Sequence, residues 1–408
     1  MKKTLAFAAA FALLAPTAGA TYMEAPAEAD PEVIVPDSTG FKFTDVKVMP
    51  TTSVKDQNKS GTCWSFSGIS ALEEDLLRRG GPELDLSEMF VVRQSYIDKA
   101  KKYVRMGGTL NFAQGGSFAD VLAVTKEYGA IPEEVYSGLN YGEEKHSHYE
   151  MFDVLDGYIK GVLKNSNKKL STAWLPGFEA ILDAYFGKVP EKFTYNGKEY
   201  TPKTFAKEMG LNPEEFVSIT SFTHHPFYEP FAVEVADNWR WETSLNVPLD
   251  EFKRIADEAL EKGYTIAWAA DVSEPAFKWR YGYALLPEEK KVEDMDNAEV
   301  ARWTQLSDSD RKKASYDIKG PVKERTITQE SRQKAFDNFE TTDDHGMTII
   351  GYATDQEGNR YYKVKNSWDT NQLYNGFFYC SEPYFQEKTI SYVVNKNALP
   401  KEYQKYFK

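Results

Sequence analysis

Positive charge is in short supply in these 408 residues: 49 Lys and Arg stand against 62 Asp and Glu, a formal charge of −13. That excludes a chain built to lie along nucleic acid or an anionic membrane, since both need a basic face to displace counterions. Cysteine is scarcer still. Cys63 and Cys380 allow at most one bridge, so no disulfide framework stands in for a core. No stretch is long and apolar enough to be a transmembrane helix, so no stable membrane insertion is expected. No phosphate-cradling glycine loop or dinucleotide fingerprint occurs, and no cofactor is expected. Of the histidines, His146 with His148 and His224 with His225 lack a Cys or acidic pattern at zinc spacing, so no metal site is expected either. What is present, 41% hydrophobic and 27% charged residues, is the composition of a globular protein. The length suits two or three domains, or one fold with a large insertion.

The chain opens with Lys2-Lys3, an apolar run from Leu5 to Leu14, and Ala18-Gly19-Ala20. This is the order of a secretory signal peptide over residues 1–20, and the apolar part is too short to span a bilayer. Losing Lys2 and Lys3 takes the charge to −15. The mature protein is therefore expected to be exported, periplasmic or secreted. Residues 21–52, rich in Pro, Ala and acids, read as an N-terminal arm on the surface.

From Gly61 the character changes. Trp64, Phe66, Ile69, Leu72, Leu76 and Leu77 recur at helical spacing, and Gly80-Gly81 supplies a stop, which places Cys63 on the first turn of a buried helix. A second helix is expected from Leu249 to Lys262, and a charged, solvated surface from Glu288 to Asp310. Trp239-Arg240-Trp241 is read as core rather than as cleft lining, as most aromatic residues are. Cys380, in the aromatic strand Phe377 to Cys380, is read as a small core residue. Near the C-terminus, Met347 to Tyr352 and Arg360 to Lys365 are strand-like runs joined by the turn Asp355-Gln356-Glu357-Gly358-Asn359. A hairpin about that turn sets His345 and Asn366 at its open ends, opposite each other within a residue or two.

These residues suit acyl transfer. A helix N-terminus favours thiolate at Cys63. His345 can take the thiol proton and return it to a leaving amine, and Asn366 can orient the imidazole. Gln57, across a loop containing Gly61, can join the Cys63 N–H in donating to an oxyanion.

The segment Gln57-Asn58-Lys59-Ser60-Gly61-Thr62-Cys63-Trp64-Ser65-Phe66-Ser67 resembles the nucleophile segment of papain-like cysteine peptidases. Asp344-His345-Gly346-Met347 and Asn366-Ser367-Trp368 resemble their histidine and asparagine motifs. In ordinary members the histidine follows the cysteine by roughly 130 to 150 residues, against about 280 here, so an insertion of about a domain's length is expected, at about 130–320. That insertion and the ending Glu387 to Val394 resemble the bleomycin hydrolase and aminopeptidase C branch. The resemblance implies an α+β, papain-like two-part fold: a helical domain and an antiparallel sheet or barrel domain, with a large, mainly helical insertion, over residues 53–408. It implies Cys63 as nucleophile, His345 as base, Asn366 as orienting residue and Gln57 as oxyanion donor. Gly115-Gly116 resembles the paired glycines whose backbone docks a substrate chain, although an ordinary tight turn fits the same pair. Peptides are the implied substrates. Aminopeptidase action rests on the branch alone; the alternatives are a cysteine endopeptidase and a non-catalytic peptide-binding homologue. Branch members commonly form hexamers with a C-terminal arm in the cleft, so a homo-oligomer is implied, yet the tail from Leu399 to Lys408 lacks that longer ending. Where many relatives have glycine after Asn-Ser-Trp, Asp369 stands here, with Gly376 a few residues later.

Overall fold

A computed structural model describes residues 40–167, 169–288, 305, 307, 316 and 318–407. The expected signal peptide, the arm as far as residue 39 and most of the charged stretch from Glu288 to Asp310 lie outside the described residues.

The apolar spacing after Gly61 becomes helix α1, Cys63–Arg78, and Gly80, at φ 75°, turns the chain where only glycine is unstrained. Apolar side chains of α1 share one core with α2 (Glu88–Arg105), α3 (Phe118–Tyr128), α4 (Tyr149–Leu163), α5 (Trp174–Phe186) and α6 (Pro202–Met209). A second core lies over the sheet. There α7 (Leu249–Glu261) packs its Phe252, Ile255, Ala259 and Leu260 against Trp268, Tyr362, Phe385 and Tyr392. This is the helical part and the sheet part expected of the α+β papain-like fold.

Among the described residues the central sheet has eleven strands, and β2 (Phe193–Tyr195) and β3 (Lys198–Tyr200) pair separately. Its middle is β7 (Ile266–Ala270), β10 (His345–Thr354), β11 (Arg360–Lys365) and β12 (Phe377–Ser381), with β13 (Thr389–Asn395) on the other side of β7. The hairpin forms as expected: Thr348 pairs with Lys365 and Thr354 with Arg360 about the turn. His345 also pairs with Ala270 of β7, which ties the end of β10 down from both sides.

One expectation changes. The N-terminal arm does not run free to residue 52, because Thr44–Val48 is a strand, β1, paired with β10 from Thr44 opposite Thr354 to Val48 opposite Gly351. Phe41 and Met49 beside it are buried. The insertion carries helices α4 to α7 and adds short strands to them. From Phe216 onward it feeds β4 (Phe216–Thr220), β5 (Pro230–Phe231), β6 (Ser244–Asn246), β7, β8 (Phe277–Lys278) and β9 (Tyr283–Ala284) into the main sheet, where β4 with β6 and β9 with β12 run parallel. A short apolar run such as Ile266-Ala267-Trp268-Ala269-Ala270 has no periodicity that separates strand from buried helix, and only its partners decide.

The helical part meets the sheet along α1. Gly68, inside α1, lets α3 approach: a Cβ there would fall 2.5 Å from Val121 Cγ2 and 3.0 Å from its Cβ. Alanine would gain about 1 kcal/mol of helix propensity and lose about 1–3 kcal/mol to overpacking. Gly68→Ala is therefore expected to lower the urea midpoint without changing the slope of the transition.

Candidate active site

The nucleophile segment is clamped from three directions before it turns into α1. The Gln57 N–H donates to the Ser367 carbonyl (2.8 Å), the Gly61 N–H to Gln114 Oε1 (2.9 Å), and Lys59 and His148 exchange backbone bonds with neighbours across the loop. The first helical residue is then Cys63, with Thr62 before it offering no side-chain cap. At that position the N–H groups of Trp64 and of Gly346, across the seam in β10, both donate toward the sulfur. This is possible because position 346 is glycine. A Cβ there would sit 2.7 Å from Ser67 Oγ and 3.3 Å from the Trp64 Cα, so any side chain would pry β10 from α1.

His345 is held in one tautomer by its neighbours. Asn366 Oδ1 accepts from the Ser367 N–H (2.8 Å), which fixes which end of the carboxamide is oxygen. The same oxygen lies 2.7 Å from His345 Nε2, so Nε2 carries the hydrogen and Nδ1 is left with a lone pair for the thiol proton. Trp368 stacks on the imidazole at 4.5 Å and 30°, covering this hydrogen bond from water. Gln57 is buried at the start of the nucleophile segment. Its Oε1 accepts from the Ser367 hydroxyl (2.7 Å) and one Nε2 hydrogen goes to the Ser60 carbonyl (2.7 Å), which fixes the carboxamide's orientation with a second hydrogen to give.

Cys63, His345, Gly346 and Gly116 line one cavity of about 270 Å³ between the two parts of the fold. The structure thus brings Cys63, His345 and Asn366 into one constellation with Gly116 in the wall. Gly115 turns away: a Cβ on it would collide at 2.0 Å with the Asp237 carboxylate lying over it. The helix dipole does not by itself yield a thiolate. Burial, with the Asp237 and Asp343 charges adding, pushes the Cys63 thiol up to about 12, and burial pushes the His345 imidazole down to about 4. The resting cleft therefore favours a neutral thiol and a neutral imidazole, with the proton moving only when both charges appear together.

Sequence reasoning missed Ser367 and Trp368 as positioning residues, although both sit inside the quoted Asn-Ser-Trp motif. It also missed Asp237 and Asp343 as cleft residues, for which no spacing rule gives a signal. Asp369 takes φ 66°, the left-handed region that glycine fills without strain, and its Oδ1 accepts from the Thr370 N–H (2.6 Å); Gly376 makes a second such turn at φ 90°.

The other histidines take different roles. His146 and His148 are buried beside Phe66 and Phe186 and held neutral, pushed down to about 4 and about 3. His224 and His225 meet Glu234, an acidic neighbour that their spacing did not reveal. Gln333 accepts from the Thr223 N–H and donates to Asp337, so it also donates to His224 Nδ1 (3.0 Å). His224 Nε2 then carries the hydrogen toward Glu234 and has no lone pair for a metal. Cys63 and Cys380 are both free, and Cys380 is wholly buried in β12.

The chain matches the description "Papain family cysteine protease" over residues 38–174 and "Peptidase C1-like family" over residues 307–408. Together these span more than half of it and contain Cys63, His345 and Asn366. The chain is a papain-like cysteine peptidase. Relatives include aminopeptidase C of Lactobacillus delbrueckii subsp. lactis, 23% identical over 88% of this chain and 82% of that protein. Mitochondrial cysteine proteinase 1 of Saccharomyces cerevisiae is 21% identical over 88% of this chain and 78% of its own. The crystal structure of PepW from Lactobacillus rhamnosis shares the fold at a TM-score of 0.67, with 20% identity, over 90% of this chain and 85% of PepW.

The depressed imidazole sets a pH dependence. Alkylation of Cys63 by iodoacetamide needs an unprotonated His345, so its rate is expected to fall only as the pH drops toward about 4. A limb near the ordinary thiol value of about 8.5 would contradict this. Peptide mapping is expected to find the label on Cys63 and none on Cys380. Asp369→Gly is expected to leave stability unchanged or raise it by up to about 1 kcal/mol, and Asp369→Val to lower it, as a chemical melt would read.

Proposed function

We propose that this papain-like peptidase is an aminopeptidase, exported from the cytoplasm, that removes residues from the N-termini of peptides. The observation that carries the chemistry is the His345 Nε2–H bond to Asn366, which leaves Nδ1 as base on the side of Cys63. His345 Nδ1 takes the thiol proton as the sulfur bonds to the substrate carbonyl carbon. The oxyanion that forms receives the Cys63 N–H and the remaining Nε2 hydrogen of Gln57. The C–N bond breaks as Nδ1–H returns its proton to the leaving amine, and a thioester remains. Water then gives a proton to Nδ1 and attacks the thioester. The C–S bond breaks, and the proton returns to sulfur.

Amino-terminal trimming is supported by relatives named aminopeptidase C and aminopeptidase G, the latter also from Lactobacillus delbrueckii subsp. lactis at 22% identity over 87% of this chain. Export is supported by the order of the first twenty residues. Among the described residues no helix is long and apolar enough to cross a membrane.

Fluorogenic aminoacyl amides with free N-termini are expected to be cleaved, the same amides N-acetylated to be cleaved far more slowly, and Cys63→Ala to be inert on both. Equal cleavage of blocked peptides would make the enzyme an endopeptidase. An inert wild type under reducing conditions would leave a peptide-binding homologue.

A further inference from the structure

Among the described residues, four carboxylates that the acyl-transfer steps do not use line the cavity; Asp344 accepts from the Thr342 hydroxyl and the Val272 N–H and Glu242 is exposed, which leaves Asp237 and Asp343. An aminopeptidase must recognise a cationic α-amine, and covalent geometry dictates where. The amine is two bonds, about 1.46 and 1.52 Å, from the carbonyl carbon that the sulfur attacks. Its counter-charge must therefore lie within a few ångströms of Cys63.

Asp237 and Asp343 line the same cavity as Cys63 and His345. We propose that Asp237 and Asp343 together bind the free α-ammonium of the substrate and so confine cutting to the first peptide bond; this rests on the aminopeptidase reading above. Their placement is constructed rather than incidental. Asp343 lies two residues before His345, at the entry to β10, so whatever fixes the imidazole also fixes this carboxylate near it. Asp237 belongs to the loop between β5 and β6, which is pinned over the helical part. Trp239 Nε1 donates to Asp120 Oδ2 (3.1 Å), Arg240 pairs with Asp120 (2.7 Å) and Asp98 (3.2 Å), and Asp120 is fully buried in the first turn of α3. The Asp237 carboxylate is thereby pressed onto Gly115, where a longer peptide running past Gly116 would have to continue.

The groups are also short of partners. Among the described residues no donor bonds the Asp343 carboxylate, and Asp237 receives only Asn111 Nδ2 at 3.4 Å from a side chain. Lys99 is the cation whose charge acts on Asp237, but its Nζ already donates to the carbonyls of Ala113 and Gly115. Two carboxylates in a closed space without a salt bridge repel each other, and a ligand ammonium is the group that relieves both. Consistent with this, burial pushes Asp343 well above the usual carboxylate range, with the Asp237 and Asp344 charges adding, and pushes Asp237 up to about 6, with Lys99 opposing and Asp120 adding. The same two charges act on the Cys63 sulfur.

The test compares wild type, Asp237→Asn, Asp343→Asn and the double variant on alanyl and leucyl amides of a fluorophore, free and N-acetylated. A third substrate, N-blocked, carries arginine next to the residue cut. Expected is a rise in KM for the free-amine substrates of about 10- to 100-fold in each single variant, the scale of a lost charge-assisted hydrogen bond. The preference for free over acetylated substrate is expected to be largely gone in the double variant. Iodoacetamide labelling of Cys63 at least as fast as in wild type shows that the site is intact, since loss of either charge favours the thiolate, and Asp343→Thr serves if the asparagine variant misfolds. A wild type that prefers free amines together with variants that keep that preference would overturn this inference and leave the aminopeptidase reading standing. A wild type with no preference would overturn the reading itself. Loss confined to the arginine substrate would overturn the inference by making the pair a pocket for a basic side chain.

Discussion

The contact between the first turn of α1 and the start of β10 is the constraint on which the rest of the site depends. Cys63 and His345 are about 280 residues apart in sequence, and their neighbours Trp64 and Met347 belong to different cores, so nothing local holds them together. They meet because Gly346 lets the strand lie against Trp64 and Ser67, with its N–H directed at the sulfur. Around that seam each side is secured independently. On one side the loop before Cys63 is bonded to Ser367, Gln114 and the segment around His146. On the other side β10 is paired with β7, β11 and β1. A site assembled from two rigid bodies keeps its geometry only if both are stiff, and here both are anchored by backbone ladders rather than by single side chains.

The electrostatics follow from the same enclosure. Burial disfavours charge on the thiol and on the imidazole alike, so a resting ion pair is not imposed by the helix dipole. What the enclosure provides is a tautomer, fixed by Asn366 and covered by Trp368, and a field dominated by carboxylates. A field of that sign opposes a thiolate and welcomes a cation, which is coherent only if the substrate brings positive charge with it. In this way the acids that depress the reactivity of the empty cleft become useful once an ammonium is bound between them.

Much of the site was legible in the sequence because its chemistry is carried by short motifs whose local structure is strongly determined. The periodicity after Gly61 placed Cys63 on a helix start. The turn Asp355 to Asn359 fixed a hairpin register that put His345 and Asn366 together. The parts that were not legible depend on partners far away in sequence. Thr44–Val48 has no periodicity of its own and becomes a strand only because the edge of β10 accepts it. The strands from Phe216 to Ala284 are two to five residues long, too short to announce themselves against helix. Asp237 reaches the cleft through Trp239 and Arg240 binding Asp120, a contact across more than a hundred residues that no spacing encodes.

The central claim, that the two parts of the fold meet to make Cys63 an acyl-accepting nucleophile, is tested most directly by trapping the intermediate. The enzyme would be mixed with an aminoacyl ester carrying a free amine, quenched in acid within milliseconds to seconds, and measured as intact protein and as peptides by mass spectrometry. The account predicts a mass increase of one aminoacyl group, located on Cys63 and abolished by prior iodoacetamide treatment. An adduct on any other residue, or turnover of the ester with Cys63 already alkylated, would contradict it.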